Sequence, residues 1–491
     1  MNKEIRWVEH CESEPLAHSG AIQPHGALFY LDSERNISHV SANLGDFLPY
    51  IPEELEGFPM PADLQDVLTN PLDELPIAAG SRTELFGVSI PDRVAVDFVI
   101  TRTQNGVVIE LPKHDHRHAK ALMHSNVPMK TPSNAQTAKE LHNKIVKMLH
   151  ELTGFDRVMI YAFRDDGDGE VVAEARHTAV YGSYIGLRFP ASDIPLIART
   201  LYKLNPWRLI PDSQLESVPI LSHQTAPPDL TWSDLRSISP VHQSYLANMG
   251  VRASLSLPIM AGGELWGLIA CHHAVPRTLP LKTLRASSQI SKYYGLVIST
   301  WVAEARMRFV DKLDSCCSTL RIAMMKEGGL ISSIPDIAPS LYELFNVSGM
   351  AIRVGNVWAH LGDSPNSSRL NEMSEWFETV KDDSVKLVDS LHRTIPTMVK
   401  LPVAGAIAVK LQTRDQKILQ LWLYRRELLY DVEWGGNPDK PMEFNEGKIG
   451  IAPRKSFDKW VEKRKDHSSP RTGEDRLAAK RLRLLLVELY A

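Results

Sequence analysis

The chain has 491 residues, 43% of them hydrophobic and 23% charged, an ordinary globular composition with length for roughly three domains of about 150 residues each. Its 55 basic residues against 59 acidic ones leave a formal charge of -4, and no domain-sized basic block stands out, which argues against a nucleic-acid partner. The start carries no apolar leader and nowhere is there an apolar run of about 18 residues, so a cytoplasmic protein without a membrane partner is expected.

From Ile22 to about Leu111 the pattern is short strands and turns. Two apolar runs, Val94–Val99 and Val107–Leu111, flank Thr103-Gln104-Asn105-Gly106, and an Asn-Gly between such runs predicts a hairpin. Residues 112–135 are polar and contain Pro112, Pro128 and Pro132, so they read as a linker. Within it His114, His116 and His118 could share one face as metal ligands, although a solvated linker is the simpler reading. A second α/β unit follows, with an amphipathic helix over Thr137–Leu152, strands at Arg157–Phe163 and Glu170–Ala175, and a hairpin built from Gly250–Ile259 and Leu265–Cys271 around Gly262-Gly263.

Between Leu281 and Lys326 there is no proline and a single glycine. Apolar residues recur in steps of three and four from Ile290 to Leu320, which predicts one helix of roughly 65 Å at 1.5 Å per residue. Such a helix bridges two domains and can pair with a second protomer; two abutting helices in one core are the alternative. A third unit follows, with strands at Met350–Val354, Ala406–Leu411 and Ile418–Tyr424. Within 430–460 and just beyond, Lys448-Ile449-Gly450-Ile451 alternates like a strand, whereas Phe457, Trp460, Val461 and Arg464 follow helical spacing. That conflict marks either a switch or a strand followed by a helix. The closing segment, 474–490, carries a Leu477, Leu482, Leu485, Leu486, Leu489 stripe that calls for a partner helix, as in a piece of a longer signalling protein.

Four cysteines, at 11, 271, 316 and 317, show no C-x-x-C spacing, so neither a disulfide framework nor a zinc site is suggested and any cysteine chemistry is single-site. Cys11 lies in a short polar segment ahead of the first strands. Asp193 stands in Pro190-Ala191-Ser192-Asp193-Ile194-Pro195, and with His242 and His272 it suggests a tethered electrophilic ligand and its counter-charge. Taken alone, Ser192-Asp193-Ile194-Pro195 is also a good helix start with a Ser or Asp cap. Cys271-His272-His273 could mark a thiol hydrolase dyad or a metal site, but neighbours on a strand point to opposite faces, so only one histidine can face a pocket. No oxyanion-hole signature accompanies it.

The motifs Ile22-Gln23-Pro24-His25-Gly26, Pro190–Pro195, Ser239-Pro240-Val241-His242, Ala270-Cys271-His272-His273, Trp434-Gly435-Gly436 and Pro453-Arg454-Lys455-Ser456-Phe457 occur in this order. Together they resemble the photosensory core of the phytochromes over nearly the whole chain. The resemblance implies an α+β architecture of three sensor domains, each with a central antiparallel sheet: an N-terminal segment and PAS domain (1–125), a GAF domain (130–305) and a PHY domain (306–491). It also implies a long helical spine, a tongue at about 430–460, a C-terminal linker helix, and a figure-of-eight knot between Ile22 and residues about 211–238.

Cys11 with Val241, rather than cysteine, ahead of His242 resembles the bacteriophytochromes, which bind biliverdin IXα through a thioether. By the same resemblance Asp193, Ile194, Pro195 and His242 face the pyrrole nitrogens. Tyr202, Arg208, Arg236, Ser239, Ser254 and Ser256 meet the propionates and their surroundings, Tyr161, Phe189 and Tyr245 cage ring D, and His272 donates to its carbonyl. Isomerisation at C15=C16 would alter the relation of Asp193 to Arg454 in the tongue, where Trp434 and Ser456 also signal. The expected chain is no enzyme and binds no metal. It is a homodimer through long helices that passes its signal to an output domain in cis, a histidine kinase or a diguanylate cyclase, and thence to a response regulator or second messenger. Leu187 departs from the polar residue often found there. The rival readings are a GAF-type small-molecule sensor without bilin and a cysteine hydrolase using Cys271.

Overall fold

The computed structural model describes residues 14–90, 95–113, 129–180, 182–325, 329–380, 384–438, 442–445, 448–451 and 456–490, with the backbone alone over 442–451. Cys11, the histidines of 114–118 and Arg454 therefore lie outside the described residues. The chain divides into two compact units, Met1–Trp301 with Glu433–Trp460, and Val302–Val432 with Val461–Ala491.

The first unit holds two sheets. In one, the strands run in the order Ala21–Ile22, Val218–Leu221, Ile37–Ser41, Gly26–Leu31, Val107–Pro112, Val96–Arg102 and Arg82–Val88. The expected hairpin is present: Val96–Arg102 pairs antiparallel with Val107–Pro112, and the Thr103 amide donates to the Gly106 carbonyl at 2.9 Å. Helix Ala62–Glu74 sets Leu64, Leu68 and Leu72 against Phe29, Phe98 and Ile100 to close this core, the i, i+4 spacing placing the three leucines on one face.

Residues 20–23 are held on two flanks. Ala21 and Ile22 pair with Pro219 and Val218, while the Gln23 amide donates to Leu235 and the Ser237 amide to Ala21. Ile22 is fully buried with Leu28, Tyr30, Leu230 and Leu235. A segment enclosed between 218–221 and 235–237 is the arrangement that a knot of Ile22 with residues 211–238 calls for.

The second sheet runs Arg208–Ile210, Ala253–Ala261, Glu264–His273, Arg157–Phe163, Gly169–Arg176, Arg188–Phe189, Tyr430–Gly435 and then Lys459–Arg464. Its two faces follow from the period of two. Leu209, Leu255, Leu257, Ile269, Cys271, Val158 and Ile160 point into a core shared with helix Ala135–Thr153 and the start of helix Leu281–Met324. The alternate residues make the other face, where Arg208 pairs with Ser256, Ser254 with His272, and His272 with Arg157.

In the second unit, Val357–Gly362, Gly349–Val354, Ile418–Arg425, Gly405–Gln412 and Val385–Val388 form one antiparallel sheet. The stripe on helix Gly473–Tyr490 does not stand open as the sequence suggested. Leu482, Leu485 and Leu486 pack with Leu313, Cys316 and Leu320 and with the sheet residues Ile407 and Val409, so the partner helix is the chain's own; Leu477, by contrast, is largely exposed. A second correction concerns the segment of mixed period. Lys448–Ile451 is a strand as its alternation suggests, but Lys459–Arg464 is also a strand, not a helix. It is hydrogen-bonded beside Tyr430–Gly435 in the second sheet, with Lys459 paired to Glu433 at 2.5 Å, and this ladder outweighs a weak local preference.

Candidate functional site

A partly open cleft of about 140 Å³ lies over the second face of the second sheet. Along its walls stand Asp193, Tyr202, Arg208, Arg236, His242 and Tyr245. Each wall has a local reason. Ser239 caps helix Pro240–Asn248, its hydroxyl accepting from the His242 amide with Pro240 at the first helical position, and this fixes Val241, His242 and Tyr245 one turn in. Ser239 also donates to Glu14 at 2.7 Å. Glu14 and Leu16 line the cleft, so the chain only three residues after Cys11 reaches the site.

The Asp193 loop differs from its sequence reading. Residues Ala191–Asp193 form a 3-10 turn, and helix Leu196–Leu204 begins behind Pro195 with no side-chain cap; neither Ser192 nor Asp193 caps it, because Ile194 and Pro195 are extended. The loop is held instead by Arg199, whose guanidinium donates to the carbonyls of Ile194 (2.8 Å), Gly167 (2.7 Å) and Ala191 (3.2 Å) and stacks 4.2 Å from the Phe163 ring. Arg199 was not singled out from the sequence; its position five residues after Ile194, on the inner face of the new helix, was the available signal. The Asp193 carboxylate accepts from the Tyr245 hydroxyl at 3.3 Å.

At one end of the cleft two guanidiniums are concentrated. Arg208 donates to the carbonyls of Asp234, Arg236 and Ser237, and Arg236 to those of Leu230 and Thr231. Neither makes a salt bridge with a carboxylate among the described residues. Burial and then the charge of Arg236 push Arg208 down to about 9, and burial lowers Arg236 as well. Carbonyls orient a guanidinium but do not neutralise it, so this end is set up for an anion.

An aromatic cluster adjoins the cleft through Ile194 and Tyr245. Tyr161 and Phe189 are buried with ring centroids 6.0 Å apart, and Leu187 packs with them. A side chain at Gly169 would overlap the Tyr161 ring, and one at Gly435 would come within 2.5 Å of Phe189, which explains glycine at both points of close approach. Trp434 pairs with Arg188, and Phe457 meets Tyr245 edge to face at 4.9 Å, so the arm residues Trp434 and Phe457 both reach this cluster. Ser456 instead is exposed and bonds to Asp458.

His272 sits on the cleft face of its strand beside Ser254. Its Nδ1 is buried with no hydrogen-bond partner among the described residues. Burial, then the charges of Arg157 and His242, push it down to about 3, and burial followed by Arg208 pushes His242 down to about 4; both rings are neutral at pH 7. Cys271 points the other way, fully buried in the apolar core, and burial pushes its thiol well above the usual range. A nucleophilic thiolate needs the opposite environment. His273 turns with it, bonded to Asp156 at 2.9 Å. No cluster of three or more metal-ligating side chains occurs among the described residues, and no described helix is long and apolar enough to cross a membrane.

An anionic, hydrogen-bonding ligand fits the cleft: two guanidiniums without a carboxylate partner among the described residues, with a carboxylate and a neutral histidine on the same walls, while His272 and the aromatic cluster lie on the same sheet face outside its lining. Family models for a PAS fold, a GAF domain and the phytochrome region match residues 11–113, 138–289 and 314–491. The chain is 32% identical over 496 residues to cyanobacterial phytochrome B of Nostoc sp., covering 98% of this chain and 66% of that one. It is 31% identical to bacteriophytochromes of Pseudomonas aeruginosa, with coverage of 98% and 66%, and of Xanthomonas campestris pv. campestris, with 92% and 74%. The chain thus spans about two thirds of the length of these relatives. Among solved structures it is similar to a bacteriophytochrome from R. palustris, with a TM-score of 0.75 and 28% identity, and to the Stigmatella aurantiaca phytochrome photosensory core module, with 0.77 and 29%; each covers 98% of both chains.

Proposed function

The chain belongs to the phytochrome family, with the PAS, GAF and PHY domains of its photosensory core, and from that premise we propose that it is a red/far-red photoreceptor taking biliverdin IXα, linked as a thioether to Cys11. The observation that carries this reading is the cleft itself, where among the described residues Arg208 and Arg236 have no carboxylate partner; the buried His272 Nδ1, on the same sheet face, also lacks a partner among them. The proposed domain limits are 1–125, 130–305 and 306–491.

When bound, the bilin supplies visible-light absorption and a C15=C16 bond that isomerises. The chain's residues do the rest. Arg208 and Arg236, with Tyr202, Ser254 and Ser256, hold the propionates; a planar guanidinium suits a carboxylate because it donates two parallel bonds. The Asp193 main-chain carbonyl and a water held near His242 would accept from the pyrrole N–H groups, with Ile194 and Pro195 walling the same stretch. His272, neutral, donates through one ring nitrogen to the ring D carbonyl, and Tyr161, Phe189 and Tyr245 leave that ring apolar company in which to turn.

Signalling follows from the arm. Asp193 already shares a hydrogen bond with Tyr245, which touches Phe457, so a changed relation of Asp193 to Arg454 would bias the arm between two folds. Reversing a 1:99 population takes about 5.5 kcal/mol, the scale of a few hydrogen bonds and an ion pair. The readout would travel through helices Leu281–Met324 and Gly473–Tyr490 to an output domain in cis. The exposed Leu296, Met307 and Ile322 on the first of these helices suit a homodimer.

The test is to add biliverdin to the apoprotein and record absorption before and after red and far-red light, alongside Cys11→Ser. Reversible red and far-red bands, with covalent attachment lost in the variant, are expected. A colourless or light-inert mixture would return the chain to an unlit small-molecule sensor. Arg454→Ala is expected to leave binding intact and reduce the structural difference between illuminated states, seen by limited proteolysis of the arm.

A further inference from the structure

The two cleft arginines are not held by their own domain alone. Glu110, on strand Val107–Pro112 of the first sheet, is 1% exposed. Its carboxylate accepts from three consecutive residues of the loop that carries Arg236: the Ser233 hydroxyl at 2.5 Å, the Asp234 amide at 3.1 Å and the Leu235 amide at 2.8 Å. The Ser233 hydroxyl oxygen in turn accepts from the Arg236 amide at 3.1 Å.

Arg82, on the edge strand Arg82–Val88 of the same sheet, grips this loop from its side chain, donating to both Asp234 carboxylate oxygens at 3.0 and 2.6 Å. It also bonds Glu84 at 3.1 Å and stacks 4.4 Å over Trp207, the residue before Arg208. The carbonyls so fixed, those of Asp234, Arg236 and Ser237, are the ones that receive Arg208. One carboxylate and one guanidinium from the first sheet therefore set the backbone on which both anion-binding arginines hang.

We propose that Glu110 and Arg82 are positioning residues for the carboxylate-binding end of the cleft, so that the PAS domain sets how well the GAF domain discriminates a dianionic tetrapyrrole from an uncharged one. The inference rests on the bilin reading above. Neither residue touches the cleft ligand; both act through residues 233–237. Arg208 and Arg236 repel each other, and the bonds that Glu110 accepts from residues 233–235 keep the loop folded beside them before any anion arrives. Burial and the neighbouring Asp234 push Glu110 up to about 7, in keeping with a carboxyl enclosed by the loop rather than solvated.

The test uses the full chain with Cys11→Ser, so that binding is reversible, and compares dissociation constants for biliverdin and for its dimethyl ester, whose propionates carry no charge. Glu110→Ala is expected to weaken biliverdin roughly tenfold, as for loss of a charge-assisted contact, and the ester by less than about threefold. Glu110→Gln, which keeps an acceptor oxygen, should recover most of the loss. Amide hydrogen exchange of the ligand-free protein should show faster exchange at 234–237 in Glu110→Ala, with strand 253–261 unchanged. Equal weakening for both ligands, or unchanged exchange at 234–237, overturns the inference and leaves the bilin reading standing. A parent protein that binds neither ligand removes the bilin reading itself, while the exchange arm still decides the loop contact. Should Glu110→Ala fail to fold, Arg82→Met in the same comparison tests the same loop through Asp234, with the same pair of outcomes supporting or overturning the inference.

Discussion

The arginine end of the cleft and the aromatic end of the same sheet face are built by opposite means. At the arginine end both cations are fixed by hydrogen bonds to backbone carbonyls, and the loop that supplies the acceptors of Arg208 is itself bonded by Glu110 and Arg82. At the aromatic end the contacts are ring on ring, and the His272 Nδ1 has no partner among the described residues. Directional bonds hold a group in one place, whereas aromatic contacts of this kind are worth about 0.5–1.5 kcal/mol each and are broad in geometry. A ligand lying across both would be anchored at one end and free to change partners at the other.

The largest expected effect breaks the anchored end. Replacing Arg208 with Ala removes a charge-assisted pairing worth about 1.5–3 kcal/mol, so biliverdin affinity should fall by roughly 10- to 100-fold, measured by titration in the Cys11→Ser background. His272→Ala should do the reverse: affinity within about threefold, but a displaced red band and a lower yield of the second coloured form. If His272→Ala costs affinity as Arg208→Ala does, the ends do not divide the work. Intermediate in size is Gly435→Val. Its side chain would meet the Phe189 ring, and overpacking of this kind costs about 1–3 kcal/mol. Faster proteolysis of the arm, with biliverdin affinity unchanged, is the expected result.

The anchored end was the more legible from sequence, and only in part. Short motifs contain Asp193 and His242, Arg208 and Arg236 came only with the family resemblance those motifs carry, and the period of two sent Cys271 and His272 to opposite faces, as found. What the sequence did not reveal is what holds them. Glu110 is about 120 residues from Ser233 along the chain, and Arg82 about 150 from Asp234; no local pattern records pairings made over such separations. Arg199 was hidden differently, since a cation on an amphipathic helix looks like a solvated residue until its helix is docked. The strand Lys459–Arg464 was misread because its apolar residues satisfy helical spacing, while the neighbour that decides the matter lies about 25 residues earlier, at Glu433.

The smallest effect sharpens the comparison through pH, because the two ends titrate in opposite directions. His272 and His242 have folded pKa values pushed down to about 3 and 4, and His25 and His142 are likewise pushed down to about 3 and 4. A depressed base contributes stability that is present above its unfolded value of about 6.5 and lost as pH falls, since only the unfolded chain then takes the proton. Glu110, raised to about 7, runs the other way: its contribution is present below about 4.5 and lost as pH rises through 7. Between about pH 5 and 6.5 each group changes the slope of unfolding free energy by up to about 1.4 kcal/mol per pH unit. In the ligand-free protein, His272→Gln should therefore make the loss of stability on acidification shallower, and Glu110→Gln should make it steeper, as read from urea midpoints across that range. Shifts of the same sign would mean that one of these two groups is not buried in the state the solution protein adopts. His142→Gln, in the core beside Tyr294 and away from the cleft, should flatten the slope like His272→Gln while leaving the red band where it was, which separates a histidine that only stays neutral from one that also meets the ligand.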